Sequence, residues 1–259
     1  MKLGSSKPFV FLVVFDFESF VMRKNPEASI KAFIKAFPLA QDLHQKHMLI
    51  VKGHSGTAEE VDGLRKVAQN DPRIVIINQL ISQEENEQLY RYQDCYVSLH
   101  RSEGYGMNIL ESMESGVPVI ATNYSANVDF FQAMPQMEGK CTFPVAYKLV
   151  ELEDTYGPYK KGNHWAEANL ESAAQAMREV ARNKCKKTGL GIKMKQAVKL
   201  HFGAEAVITK MKSMLNEAKP RIQKKVNRIL VQTAKPTIQK KNYPPLRKIR
   251  SEAKNLEAK

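Results

Sequence analysis

Glu103 and Glu111 bracket a short glycine-containing stretch, His100-Arg101-Ser102-Glu103-Gly104-Tyr105-Gly106, that leads from an apolar run into a segment of helical character. A carboxylate accepts two hydrogen bonds at once and so suits a vicinal diol, on a ribose or a hexose. Gly104 and Gly106 let the backbone approach a ligand closely, and a helix starting just beyond them offers its N-terminus to an anion such as a diphosphate. Carboxylates beside a diphosphate repel it unless cations compensate. Arg23 and Lys24, at the end of an earlier loop, are the candidates, with Arg101 as a third. The chemistry read here is recognition of a ligand that carries both diols and a diphosphate.

Each of these residues also has a plain structural reading. Glu103 could be a solvated loop acid or cap the helix that follows. Glu111 could pair with a surface cation, and Arg23 with Lys24 could be an ordinary solvated pair. His100 could be a satisfied histidine at a strand end. Tyr124, Ser125 and Asn127 could be turn formers, and the turn Gly53-His54-Ser55-Gly56 reads as structural. His44, His47, His54, His164 and His201 lack metal-ligand spacing. Cys95 reads as a small core residue.

The elements that must position these residues alternate along the chain. Residues 9–15 are a continuous apolar run, as expected of a strand buried on both faces. Asn25 can cap a helix and Pro26 suits its first position. Ile30, Phe33, Ile34 and Phe37 then mark one helical face before Pro38 stops it. Strands follow at 48–51, 74–77, 95–99 and 119–122, with helices at 59–69, 84–92 and 108–115 between them. Such alternation predicts an α/β fold: a Rossmann-like parallel sheet with helices on both faces. In such sheets ligands bind beyond the carboxyl ends of the strands, where both candidate loops fall. Residues 132–165 read as an irregular stretch rich in Pro, Gly and Tyr, of a length that is often functional. Helices are expected again at 170–180, 192–200 and 204–215.

The 259 residues suffice for one sizeable core and an appendage. The net charge of +13 is concentrated at one end: residues 217–259 hold 13 Lys/Arg against 3 Asp/Glu. This basic tail, interrupted by Pro220, Pro236, Pro244 and Pro245, is expected to be largely disordered, with a short amphipathic helix through Ile222, Val226, Ile229 and Leu230. Three cysteines without a C-x-x-C pair argue against a disulfide framework and for a reducing cytoplasm. No apolar run approaches the roughly 18 residues of a membrane span, and residues 9–15 lack the cleavage site of a signal peptide. The expected division is a linker remnant at 1–8, a Rossmann-like domain at 9–216 and the tail at 217–259.

Glu103-x7-Glu111 resembles the E-x7-E motif of retaining GT-B glycosyltransferases, especially glycosyltransferase family 4. Further stretches resemble one bacterial branch of that family: Arg23-Lys24-Asn25-Pro26, Ser98-Leu99-His100-Arg101-Ser102-Glu103-Gly104-Tyr105-Gly106, Gly116-Val117-Pro118-Val119, Tyr124-Ser125-Ala126-Asn127, Gly157-Pro158-Tyr159 and Trp165-Ala166-Glu167. The resemblance covers roughly residues 9–215 and implies the C-terminal, donor-binding half of a GT-B enzyme. It implies that Glu103 contacts the donor sugar, with Gly104, Tyr105 and Gly106 beside sugar and phosphate, and that Glu111 holds the ribose. It gives Lys24, with Arg23, the diphosphate leaving group in place of a metal. Asn78 and Leu80 would border the base, and Ser125 and Asn127 would face the donor. No cofactor or metal is expected. Two departures stand out. The family usually carries an Arg at the end of its first strand, where this chain has residues 16–19, and its branch commonly has Gly where Ala126 stands.

The implied activity is transfer of a hexose from a nucleoside diphosphate sugar to a saccharide or lipid-linked acceptor. The missing N-terminal half suggests a partner chain, or a non-catalytic binding module. A third reading makes the tail an anchor to an anionic membrane surface, so that the protein is cytoplasmic and peripheral at the inner face; nucleic acid is the less favoured partner.

Overall fold

The computed structural model describes residues 7–42, 46–183, 185 and 189–233, with side chains to residue 227. Residues 1–6 of the expected linker and the tail beyond Thr233 lie outside the described residues, as does His44. Two compact units divide after Val207.

The first unit is built on a parallel sheet of β1 (Phe9–Val14), β2 (His47–Gly53), β3 (Ile74–Asn78), β4 (Cys95–Ser98), β5 (Val119–Thr122) and β6 (Thr142–Val145), in the order β3-β2-β1-β4-β5-β6. The order doubles back at β1, which pairs with β2 on one side and β4 on the other. That switch point opens a crevice at the carboxyl ends of β1 and β4. The Rossmann-like α/β fold expected from the alternation is the fold observed.

The apolar run of β1 is continuous because the strand feeds two cores. Phe11 and Val13 point into one with α2 (Pro26–Ala36), α3 (Ala58–Val67) and α7 (Leu170–Arg182); Val10 and Leu12 point into the other with α5 (Met107–Glu114), α6 (Asn127–Gln132) and α8 (Gly189–Phe202). Helix α4 (Gln83–Tyr92) opens on a capping box of Ser82 and Glu85, and α3 on one of Thr57 and Glu60.

Four expectations change. Asn25 makes no side-chain cap. It takes the left-handed conformation (φ 52°), ends the one-turn helix α1 (Val21–Lys24) by donating its N–H to the Val21 carbonyl, and starts α2 in the same step. The stretch 132–165 is not irregular throughout. It holds β6 and the first strand of a hairpin, β7 (Tyr147–Glu151) with β8 (His164–Ala168). β6 escaped notice because Pro144 weakens its strand signal; at the sheet edge a residue without an N–H is tolerated. Cys141 and Cys185 form a disulfide, with Cα atoms 5.8 Å apart and a sequence separation of 44. An odd cysteine count cannot reveal such a pair, and the bridge removes the argument for a reducing compartment. Finally, the helix expected to stop at Leu215 continues as α9 (Ala204–Thr233), through Pro220. A proline inside a helix costs about 3 kcal/mol, but its neighbours here are mostly strong helix formers. Among the described residues no helix is long and apolar enough to cross a membrane.

Candidate functional site

A cavity of about 310 Å³ opens at the switch point. Its floor is the end of β1 (Val13, Val14) and β4 (Tyr96 to Ser98). One wall is α1 with Arg23 and Lys24, and the other is the Glu103–Gly106 loop with the first turn of α5. The αL conformation of Gly106 (φ 92°) turns the chain directly into α5. The free N–H groups of that helix start, at Met107 and Asn108, therefore border the cavity, where they favour an anion.

Lys24 Nζ lies 2.5 Å from Glu103 Oε2, and Arg23 Nη1 lies 3.8 Å from Glu103 Oε1. Burial alone would raise the Glu103 carboxyl, but the Lys24 ammonium and then the Arg23 guanidinium hold it below the usual carboxylate range. The three charges sum to one positive charge at the mouth of the cavity. Arg23 also donates to the carbonyls of Ser19 (3.2 Å) and Ser102 (2.9 Å), so it fastens α1 to the Glu103 loop while contributing its charge.

Arg101 has a different job from the one its position suggests. Its guanidinium donates to Glu167 (2.6 Å) and to the Met22 carbonyl (2.7 Å), and it lies over the Trp165 ring. Its backbone N–H donates to the Arg23 carbonyl, and its carbonyl accepts from Ala166. Arg101 thus ties the β7–β8 hairpin to α1 and to the loop that carries Glu103.

His100 is fully buried. Nε2 faces two acceptors, the Tyr124 carbonyl (3.1 Å) and Asn127 Oδ1 (3.0 Å), and Nδ1 lies 2.9 Å from Ser98 Oγ. Nε2 therefore carries the proton and Nδ1 accepts from Ser98. Burial pushes the imidazole below its ordinary pKa, against the pull of the Tyr124 carbonyl. The ring joins the loop after β4 to the loop after β5.

Of the residues singled out in sequence, Glu103, Lys24, Arg23, Tyr105 and Gly106 line the cavity. Gly104 lies beside them in open space, where an added Cβ would meet nothing within 4 Å, and its N–H donates to Glu103 Oε1. Glu111 sits exposed one turn into α5, its pKa raised by partial burial and by Glu114. Asn78 clasps the backbone of Gly56 with both amide atoms, and Leu80 is 84% exposed. Ser125 adopts φ 74°, while Asn127 is buried and committed to His100 and to the Thr122 carbonyl. Ala126 is helical (φ −64°), so its site needs no glycine conformation. Gly53 and Gly56 are structural: a Cβ on either would come within 2.7 Å of the Phe17 ring.

Two lining residues gave no sequence signal. Asn108 donates to the Val14 carbonyl (3.4 Å), and Ser19 donates to Asp16 in the one-turn segment that follows β1.

Residues 17–134, which carry every charged residue of the cavity, match the family model of Glycosyl transferases group 1. No curated protein matches the chain by sequence. Among solved structures, the chain is similar to WaaG, a glycosyltransferase involved in lipopolysaccharide biosynthesis, with TM-score 0.52 and 14% identity over 77% of this chain and 44% of that one. It is similar to the C-terminal domain of a group 1 family glycosyl transferase, LpcC, from Francisella tularensis, with TM-score 0.53 and 18% identity over 76% and 88%. It is also similar to sucrose-phosphate synthase from Thermosynechococcus elongatus, with TM-score 0.57 and 18% identity over 83% and 46%. The match thus spans less than half of WaaG and of the synthase. The chain shares its fold with these solved structures.

Proposed function

We propose that this domain binds a nucleoside diphosphate sugar in the β1–β4 crevice and serves as the donor half of a retaining, metal-independent hexosyltransferase of family 4 type. The observation that carries this reading is the Lys24–Glu103 pair, walled by α1 and by the N-terminus of α5. In transfer, the bond from the anomeric carbon to the phosphate oxygen breaks. The acceptor oxygen forms the new bond and its proton passes to the diphosphate, on which negative charge grows as it departs. Lys24, Arg23 and the helix N-terminus meet that charge where it develops, which is the largest kind of catalytic contribution. Glu103, freed from part of its pairing as the diphosphate engages Lys24, accepts from the sugar hydroxyls. Glu111 is reserved for the ribose, and the backbone near Asn78 and Leu80 for the base. A saccharide or lipid-linked acceptor completes the reaction.

A second reading is a donor-binding subunit whose acceptor half resides on another chain. It is motivated by the solved GtfA/B complex, whose fold this chain resembles with TM-score 0.56. Glu103→Gln separates the readings. If the isolated chain transfers a hexose, the variant should lose at least about 100-fold in kcat, as for loss of one positioned transition-state contact. No transfer by either protein, with donor still bound, supports the subunit reading. Full transfer by Glu103→Gln contradicts the role of Glu103.

A further inference from the structure

Helix α9 is amphipathic in a particular way. At 3.6 residues per turn, Ile208, Met211, Leu215, Ile222 and Val226 fall within roughly 60° of arc. All five are exposed, by 42% to 59%. Lys212 and Lys219 border this stripe on one side, and Arg221 and Lys225 on the other; all four are exposed. Between residues 204 and 227 there are six basic residues (Lys210, Lys212, Lys219, Arg221, Lys224, Lys225) against two acidic ones (Glu205, Glu217).

Charge decides what covers the stripe. In a two-helix pairing along it, Ile208, Leu215 and Ile222 take the first core position of the heptad. Lys212 and Lys219 then share one flanking position with a single acidic residue, Glu205, at its far end, and Lys225 falls in the seam itself. A second copy would set like charges opposite one another. A layer of anionic headgroups over hydrocarbon satisfies both features at once: the stripe enters the acyl boundary, and the flanking lysines reach up to the phosphates. We infer that α9 is an interfacial helix that docks the chain on an anionic phospholipid bilayer, lying in its plane. This assigns the membrane contact to a folded helix rather than to the tail beyond it, and it is independent of the donor-site reading.

The test is sedimentation of the full chain with vesicles of phosphatidylcholine alone, or of phosphatidylcholine and phosphatidylglycerol in equal parts. The variants are Leu215→Glu with Ile222→Glu, and Lys212→Glu with Lys219→Glu. All four positions are exposed, and circular dichroism checks that the helix persists. The inference expects binding to the anionic vesicles only, weakened at least about tenfold by either pair, since each lost cation alone is worth several-fold near such a surface. Equal binding to neutral vesicles overturns it. So does binding that survives Leu215→Glu with Ile222→Glu, which would leave charge alone, or the tail, as the anchor. Dimers in light scattering that this apolar pair dissolves would instead make the stripe a contact between copies.

Discussion

Lys24 holds Glu103 in its charged form. Both are mostly buried, and the 2.5 Å contact outweighs the cost of burying the carboxylate. A carboxyl held below its unfolded value of about 4.3 contributes stability at higher pH, and that contribution is lost as pH falls through its folded value. A carbon-13 titration of the Glu103 carboxyl should therefore show a midpoint below that of an ordinary glutamate. In Lys24→Met the largest opposition to burial is gone, leaving Arg23 and His100, and the midpoint should rise; an unchanged midpoint would mean that the pair does not exist in solution. At this scale the sequence was legible where residue type and chemistry coincide. Glu103, Arg23 and Lys24 were each expected at the site, and each lines the cavity. Arg101 was misread because a guanidinium can neutralise a diphosphate or cap a helix, and its neighbours in sequence do not say which. The commitments of Asn127 and Asn78 were hidden for the same reason: their partners lie in other loops.

The elements are held in register by buried polar contacts rather than by apolar packing alone. Arg73 is 1% exposed, bridges Asp71 and Asp42, and donates to the Phe37 carbonyl, joining the end of α2 to the start of β3. Arg73→Met should cost about 3–5 kcal/mol in urea denaturation, because two buried aspartates are left without a cation. Replacing Asp42 and Asp71 by Leu in the same protein should recover most of that loss. If Arg73→Met alone were neutral, the cluster would contribute nothing to stability. Helices and inner strands were legible because their periodicity and caps are local. The edge strand β6 and the passage of α9 through Pro220 were not. In both, a proline reads locally as a stop, and the tolerance comes from the surroundings: an open sheet edge in one case, good helix-forming flanks in the other.

The whole molecule adds one covalent constraint and one division. The Cys141–Cys185 bridge closes a loop of 44 residues in sequence separation, which a chain-entropy estimate equates with about 4 kcal/mol of stability. Dithiothreitol, or Cys141→Ser, should lower the melting temperature of the folded chain; identical melting in both redox states would show that the bridge does not form. The domain resembles group 1 glycosyltransferases over residues 17–134, and its likeness spans less than half of WaaG. How much of a complete transferase it constitutes is a question for binding before it is one for turnover. Titration calorimetry of the chain with UDP, GDP and ADP, beside Lys24→Met, addresses it directly. The account predicts saturable binding of one of the three, weakened by at least about tenfold in the variant, as loss of a charge-assisted contact of about 1.5–3 kcal/mol requires. Binding that Lys24→Met leaves unchanged, or no binding of any nucleoside diphosphate, would contradict the assignment of the β1–β4 crevice as a donor site.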